Sequence, residues 1–480
     1  MIIKFSSKSF FLFFFLSIFI SNYSFAQGTP GAASAAVGVS EQAGLAKKGN
    51  NEEPPDIPPP NFAKRKPKMP DFLLKTKDPG WMFTGFPAVG WDPDTGFNVG
   101  AALQAYQNGK KESPFFSITP YRQYFEFMGT YSTNDTLELS LYYDNIYVMN
   151  SPWRVRSEVR VYNNPLYNYF GVGDDGLQLT FPGTGQVFNS YDNYKNALKV
   201  QSGGQTNERY DNYKYTRTAW KGSAEYDLLG GWLRPLFGFQ FSHVWIGDYT
   251  GDTVGGATQL PTHLNTDCAS GRIEGCDGGW DNYVKLGVSF DTRNFEPNPS
   301  NGIMWNLVSE LSPKFIGSGF NYGRLNTSLR AFGKIFDYKK QRSVLAGRFF
   351  YQWQFGDVPF YSMNTLAFTD RDWTGLGGFR SIRGYRLDRF IGPVSVMTNM
   401  EVRYTFCDFT FWKQNLQLGV KPFLDAGRVF NNVNETSFRN WKIGGGGGLM
   451  LIWNLATVIN FDASWSGEGN AFYMEAGAQF

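Results

Sequence analysis

Three arginines, Arg380, Arg383 and Arg386, lie close together in a glycine-rich stretch of the chain. Guanidinium groups that leave bulk water need carboxylate partners, which they bind through two parallel hydrogen bonds. The two segments that follow carry polar residues at every second position. They supply Asn399, Glu401 and Arg403 in the first segment and Phe423, Asp425 and Gly427 in the second. We expect Arg383 to pair with Asp425 or Glu401 and to stack on Phe423, which makes an ion-pair contact and not a reaction centre.

Residues that support covalent catalysis or metal binding are few and scattered. His243 lies among apolar residues and His263 in a polar loop, and neither is at a spacing that brings it to a serine or an acid. The three cysteines also lack the spacing of metal ligands. We therefore expect no enzymatic activity, no metal and no cofactor. Cys268 and Cys276 favour a disulfide over free thiols if they face an oxidising compartment.

The elements that must position these residues are β-strands, because side-chain character alternates with period two over about ten residues at a time. A soluble sandwich and a membrane barrel both produce this alternation. Strands of about ten residues or more, aromatic residues at strand ends and a final Phe480 favour the barrel. We predict an all-β fold, a sixteen-stranded antiparallel transmembrane β-barrel. The predicted strands are 82–91, 96–107, 114–133, 135–147, 152–163, 213–228, 233–249, 280–292, 301–312, 319–334, 341–356, 393–407, 414–430, 440–453, 455–466 and 471–480.

The connections between these strands are strongly unequal in length. The three longest, 164–212, 250–279 and 357–392, all follow an odd-numbered strand, and the turns after even-numbered strands are short. Outer-membrane barrels have long extracellular loops and short periplasmic turns. We expect a periplasmic N-terminus and an extracellular sixth loop, 357–392, which carries the three arginines and inserts into the barrel.

The N-terminal part of the chain differs from the rest in composition. Residues 1–26 predict a signal peptide, with a basic start, an apolar run and Ser24-Phe25-Ala26 as cleavage site. Residues 27–80 are rich in proline and predict a disordered periplasmic tether, so the barrel is assigned to 81–480. The whole chain has 45 Lys and Arg against 42 Asp and Glu. This balance gives no reason to expect nucleic acid as a partner.

The arginine segment and the two strands after it resemble the BamA/TamA family of outer-membrane assembly and secretion barrels, also described as bacterial surface antigens. Arg383-Gly384-Tyr385 is similar to the Arg-Gly-aromatic motif of that family's sixth loop. The other two similar patterns are Asn-x-Glu-x-Arg at Asn399, Glu401 and Arg403, and Phe-x-Asp-x-Gly at Phe423, Asp425 and Gly427. The resemblance implies sixteen strands and a seam between the first and last of them. It also implies a loop-to-lumen contact through Arg383, Gly384, Tyr385, Glu401, Arg403, Phe423, Asp425 and Gly427.

Two features bear on how far the resemblance extends. Members of the family usually carry periplasmic POTRA domains, whereas only the tether is expected here. At the seam, Pro87 removes a backbone donor from the first strand, and Gly85 and Gly90 reduce its side-chain packing. We therefore expect weak pairing between the first strand and the last strand, which ends at Phe480. Alternatively, Pro87 marks a bend. The five glycines from Gly444 to Gly448 permit either sharp curvature or close approach of an inserted loop.

The sequence thus predicts a bacterial outer-membrane barrel without POTRA domains that assists insertion or translocation of proteins or other clients. Its expected partners are outer-membrane lipid and lipopolysaccharide, a polypeptide client and a periplasmic accessory protein. The alternative is a pore or surface-binding barrel that retains the scaffold without assembly activity.

Overall fold

The computed structural model describes residues 55, 57–69, 74, 77–296, 298–338, 341–369, 373–411, 414–453, 457–476 and 480. The predicted signal peptide, 1–26, lies outside these residues, as does most of the predicted tether.

Sixteen antiparallel strands form a closed β-barrel, which confirms the predicted fold. The strands are β1 (Trp81–Asp92), β2 (Gly96–Gln107), β3 (Gln123–Ser132), β4 (Leu137–Ile146), β5 (Trp153–Asn168), β6 (Asn212–Tyr226), β7 (Leu233–Gly247), β8 (Tyr283–Asp291), β9 (Gly302–Ser312), β10 (Tyr322–Tyr338), β11 (Gln341–Gly356), β12 (Val394–Phe411), β13 (Gln414–Phe430), β14 (Lys442–Trp453), β15 (Thr457–Ser466) and β16 (Gly469–Ala476). Each strand pairs with its neighbours in the chain, and β1 meets β16.

The alternation of side chains separates an apolar exterior from a polar interior. Leu103, Phe127 and Leu141 lie directly opposite one another on β2, β3 and β4, and all three are exposed. On the inner face of the same strands, Gln104 donates to Glu126 with a donor–acceptor distance of 2.6 Å. Exposed apolar rows around a polar lumen are the pattern of a barrel solvated by lipid.

The two ends of the barrel differ, and we call them the loop end and the turn end. The long segments 169–211, 248–282, 357–369 and 373–393 lie at the loop end. Their described residues include three α-helices, α1 (Tyr191–Leu198), α2 (His263–Ala269) and α3 (Phe360–Met363). A disulfide joins Cys268 and Cys276, with an S–S distance of 2.07 Å. In the part of the chain that the structure describes, no helix is both long and apolar enough to cross a membrane. Short strands also occur in these segments, at Leu179–Thr180, Val187–Phe188, Gln205–Thr206, Thr253–Val254, Ala257–Gln259, Gly279–Trp280, Thr365–Leu366 and Trp373–Thr374.

The third strand is shorter than predicted. Its expected range began at 114, but β3 begins at Gln123, and the residues before it form turns. Pro114 and Pro120 have no backbone N–H to donate to a neighbouring strand. The aromatic residues Phe115 and Phe116, which suggested a strand, are instead buried at the turn end.

The predicted tether is too long, because residues 57–69 form a strap that packs across the turn end. Ala63 is fully buried, and the ring of Phe62 lies 6.1 Å from that of Phe115. The backbone N–H of Arg65 donates to the carbonyl of Gly230 at 2.9 Å, which links the strap to the turn between β6 and β7. Residues 61–63 of the strap form a 3-10 helix, so the strap is not extended throughout. Its apolar and basic side chains have partners on the barrel that are distant in sequence.

Candidate functional site

The segment that carries the three arginines lies inside the barrel. We call residues 373–393 the inserted loop. Leu376, Ile382, Arg383 and Arg389 are all completely buried in it. A polar lumen supplies hydrogen-bond partners for such a segment, whereas lipid does not.

Arg383 is held by three carboxylates. Its Nε and Nη2 donate to the two oxygens of Asp425 at 2.7 and 3.0 Å, a bidentate arrangement. Its Nη1 donates to Glu401 and to Asp462, both at 2.9 Å. The guanidinium carbon lies 3.4 Å from the centre of the Phe423 ring. We call Arg383, Asp425, Glu401 and Asp462 the lumen lock.

Two further cations neutralise the lumen lock. Lys421 lies 3.0 Å from Asp462 and 3.6 Å from Glu401, and Arg403 donates to Glu401 at 2.9 Å. The cluster therefore contains three cations and three carboxylates, nearly all of them inaccessible to water. Buried charges are tolerated only when paired in this way.

Asp462 and Lys421 were missed at the sequence level. Both face the lumen by alternation, Asp462 on β15 and Lys421 on β13. Nothing in the local sequence distinguishes them from other inward-facing charges, because β15 comes next to the arginine segment only in the folded barrel.

Asn399 joins the inserted loop to the lumen lock. Its amide donates to Asp425 at 2.7 Å and to the backbone carbonyl of Ser381 at 2.6 Å. Arg348 on β11 donates to the side-chain oxygen of Asn399 at 2.8 and 2.9 Å. These bonds fix the orientation of the Asp425 carboxylate.

The inserted loop approaches the barrel wall most closely at glycines. Gly384 has a φ of +96°, and a Cβ there would lie 3.0 Å from Ser466. A Cβ on Gly444 would overlap the carbonyl oxygen of Arg383, and one on Gly427 would lie 2.9 Å from Ile382. The glycine run of β14 thus includes a position where the loop touches the backbone.

The seam between β1 and β16 is described at one residue pair. β1 pairs with β2 along its whole length, from Trp81↔Gln107 to Asp92↔Gly96. Among the described residues, β1 pairs with β16 only at Trp91↔Met474. Gly85, Pro87 and Gly90 all lie in β1 on the turn-end side of that pair.

Phe480 is not part of the seam, contrary to the prediction. Its ring is buried in the lumen, 6.3 Å from the ring of Phe332 on β10 and 5.3 Å from the guanidinium of Arg403 on β12. These strands lie across the barrel from β1. The sequence placed Phe480 at the seam, but an apolar cluster below the inserted loop offers it a more favourable environment.

The inserted loop contacts both sides of the seam at the loop end. Toward β1 and β2, Arg386 donates to the carbonyl of Pro93 at 2.6 Å and the backbone N–H of Leu387 donates to Asp94 at 2.7 Å. Toward β15 and β16, Arg389 makes a bidentate contact with Glu468 at 2.8 and 2.9 Å. The structure therefore joins the two edges through the loop as well as through strand pairing.

Tyr385, the aromatic residue of the predicted motif, supports this arrangement. It is buried, its ring lies 5.1 Å from that of Phe390, and its carbonyl accepts from the hydroxyl of Tyr473 on β16 at 3.3 Å. The backbone N–H of Gly384 donates to the same hydroxyl at 3.2 Å.

The burial of the Asp388 carboxyl predicts that the stability of the inserted loop depends on pH. Burial raises the pKa of this carboxyl to about 7, although Tyr167 and Gly375 donate hydrogen bonds to it. The pKa of an aspartate is near 4 when the chain is unfolded. The free energy of unfolding that the protonated Asp388 contributes is therefore fully present below pH 4 and is lost as pH rises through 7. The loss is at most about 1.4 kcal/mol per pH unit. We expect Asp388→Asn to flatten the dependence of Tm on pH between 5 and 8, measured by thermal unfolding in detergent. The exposed Asp192→Asn is the control, and an unchanged slope in Asp388→Asn would contradict this assignment.

The two histidines lie apart from the lumen lock. His243 packs against Trp245 and Trp280, and His263 begins α2 beside Tyr169 and Tyr210. No group of His, Cys, Asp and Glu among the described residues could hold a metal ion.

Most of the chain matches a known protein family. The Omp85 superfamily domain matches residues 122–480, three quarters of the chain. The chain belongs to the Omp85 superfamily. Omp85 barrels are proteins of the bacterial outer membrane, and the resemblance inferred from the arginine loop and its two following strands is confirmed. A domain of unknown function, DUF5982, matches residues 59–122, which include the strap, β1 and β2.

Solved Omp85 structures share the fold at low sequence identity. BamA from Haemophilus ducreyi lacking POTRA domains 1–3 is 13% identical, with 84% of this chain and 70% of that chain covered and a TM-score of 0.50. CdiB from Escherichia coli is 12% identical, with 84% of this chain and 63% of CdiB covered and a TM-score of 0.50. This chain thus spans less than two thirds of CdiB. A search of curated proteins found no matching relative. Among the described residues, those before β1 form no POTRA-like domain.

Proposed function

We propose that this Omp85 barrel assists the insertion or translocation of proteins, or of other clients, at the outer membrane, without covalent chemistry. The observation that carries the proposal is the seam, at which β1 and β16 pair only at Trp91↔Met474 among the described residues.

A sparsely paired strand edge is a physical template for another chain. The backbone groups of such an edge can accept an incoming strand, which supplies hydrogen bonds along its length. In β1, Pro87 pairs with Ala101 of β2 but has no N–H to offer. A client strand would therefore bind an edge that, among the described residues, is held to β16 at Trp91↔Met474.

The inserted loop would control this edge. It binds Asp94 on one side and Glu468 on the other, and Arg383 anchors it in the lumen. Release of the lumen lock would remove the contacts that hold the two flanks together at the loop end.

The proposal includes an orientation and a set of partners. The turn end, with the strap, faces the periplasm, because the long loops of such barrels face outward. Lipopolysaccharide and membrane lipid surround the barrel. A periplasmic accessory protein would deliver the client, which is the role that POTRA domains imply in the related family.

The alternative is a pore or surface-binding barrel that retains only the scaffold. The lack of a POTRA-like domain in the described residues favours it. The buried inserted loop argues against an open pore, since Leu376 and Ile382 leave no water-exposed surface there.

A reversible crosslink across the seam tests the proposal. Cys407, which has a free thiol, is first replaced by serine so that it cannot take part in the crosslink. Trp91→Cys with Met474→Cys then places two cysteines on directly paired positions. We expect oxidation to reduce the levels of client proteins in the outer membrane severalfold, measured by quantitative proteomics in cells that depend on the variant, and reductant to restore them.

The matched control is Val89→Cys with Val99→Cys, which joins β1 to β2, two strands that need not separate. Its oxidation should leave the outer-membrane proteome unchanged. A seam disulfide that forms fully and has no effect would contradict the proposal. Increased conductance of Arg383→Ala in planar bilayers without a client defect would support the alternative.

A further inference from the structure

The outer wall of β1–β4 changes character abruptly near the turn end. Directly paired residues face the same side of the sheet, and the second outward row from the turn end is apolar or aromatic. That row contains Phe83, Ala105, Phe125 and Tyr143. The next outward row toward the turn end contains Trp81, Gln107, Gln123 and Asn145. Three amides beside a tryptophan mark the depth at which hydrocarbon gives way to lipid headgroups.

A cavity with a volume of about 730 Å³ opens at this amide row. Trp81 and Met149 form apolar parts of its wall, and both are strongly exposed, Met149 to 96%. An apolar side chain exposed to this degree at headgroup depth is suited to contact with lipid. The volume is that of a site for a small-molecule headgroup.

The charged groups at the cavity are mainly cationic. Arg122 donates to the carbonyls of Ile146 and Tyr147 at 3.0 and 2.6 Å and to Asn150 at 3.1 Å, all of them neutral acceptors. Lys110 also lines the cavity and is exposed to solvent. Neither cation forms a salt bridge with any carboxylate of the described residues.

Lys77 lies close behind this wall. Its amino group donates to the carbonyls of Phe116 and Thr119, both at 2.7 Å, and lies 4.3 Å from the Phe116 ring centre. Burial and the like charge of Arg122 lower the pKa of this amino group to about 7. Glu112 is the one acidic residue that lines the cavity. The cavity therefore favours a ligand that carries a negative phosphate, and the carboxylate of Glu112 can bind a positively charged part of the same ligand.

We infer that this cavity binds the headgroup of a glycerophospholipid, with its phosphodiester at Arg122 and Lys110. The ammonium of a phosphatidylethanolamine headgroup lies toward Glu112. The acyl chains follow the exposed aromatic surface of Phe83 and Phe125. Trp81 and Met149 contact the glycerol region between them.

Native mass spectrometry of the purified, delipidated barrel in detergent tests this site. The barrel is incubated with phosphatidylethanolamine, with phosphatidylglycerol, or with phosphatidylethanolamine and excess inorganic phosphate. We expect one retained phosphatidylethanolamine molecule, reduced about threefold to fivefold by Lys110→Gln, as for loss of one exposed ionic contact. Glu112→Gln should shift the preference toward phosphatidylglycerol. Lys314→Gln, which changes an exposed lysine at the loop end, should have no effect.

Arg122→Gln should reduce the retained phosphatidylethanolamine more than Lys110→Gln does. Arg122 also supports the turn between β4 and β5, however. Lys110→Gln and Glu112→Gln leave that turn intact and decide the question if the Arg122 variant does not fold. Equal retention in Lys110→Gln and Lys314→Gln would overturn the site. Displacement of the lipid by inorganic phosphate alone would show a free-anion site and overturn the lipid assignment. A photoactivatable phosphatidylethanolamine that labels the peptide containing Met149 would support it.

Discussion

Replacing Arg383 with alanine should lower the free energy of unfolding by about 3 to 5 kcal/mol, the usual cost of removing one partner from a buried ion pair. The variant leaves the carboxylates of Asp425, Glu401 and Asp462 with only Lys421 and Arg403 to balance them. An uncompensated buried charge results. The measurement is thermal unfolding of the purified barrel, with limited trypsin digestion to report exposure of the inserted loop.

The double variant Arg383→Ala with Asp425→Ala should be more stable than either single variant, because it restores an equal number of cations and carboxylates. Arg383→Lys should be intermediate, since an ammonium cannot reproduce the bidentate contact. Lys214→Ala is the matched control. It breaks an ion pair with Asp252 of similar length, 2.7 Å, in which both side chains are about half exposed, and should cost less than 1 kcal/mol. Identical melting of all the variants would show that the lumen lock does not stabilise the barrel.

Gly444→Ala should displace the inserted loop and destabilise the barrel by a comparable amount, about 3 to 5 kcal/mol, because loss of the loop position also breaks the lumen lock. The added methyl group would occupy the position of the Arg383 carbonyl oxygen. Neither group can move easily, since one belongs to a paired strand and the other to a loop anchored by three carboxylates. Trypsin should then cleave the loop at Arg380, Arg383 or Arg386.

Gly447→Ala provides a control within the same glycine run. Its nearest neighbour would be the carbonyl oxygen of Lys421 at 4.0 Å, so the methyl group meets open space. Glycine-to-alanine exchange in a strand without a clash should change stability by about 0.5 to 1 kcal/mol at most, and in the favourable direction. If Gly444→Ala and Gly447→Ala melt alike and both resist trypsin, the glycine run serves curvature of β14 and not approach of the loop.

Local patterns in the sequence were sufficient for the strands that carry the site. Alternation over 394–406 assigned Asn399, Glu401 and Arg403 to one face, and all three face the lumen. The Arg383–Asp425 and Arg383–Glu401 contacts could be anticipated because few carboxylates face inward on the two strands after the loop. Asp462 could not, since its proximity to Arg383 depends on the closure of the barrel through β15.

The strap and Phe480 show the same limit at the two ends of the described chain. Proline content indicated an extended N-terminal segment but not its burial against Phe115 and Gly230. The sequence placed Phe480 at the seam, although the structure has it beneath the inserted loop. Each of these residues packs against a partner far away in sequence.

The sequence by itself determined the class of fold, the number of strands and the polarity of each strand face, because these follow from a period of two within single segments. The tertiary structure decided which charges surround Arg383, where residues 57–69 and Phe480 pack, and which described residues of β1 and β16 pair. The physical reason is that closing a barrel brings together strands from opposite ends of the chain, and the energy of those contacts depends on geometry that no local pattern contains.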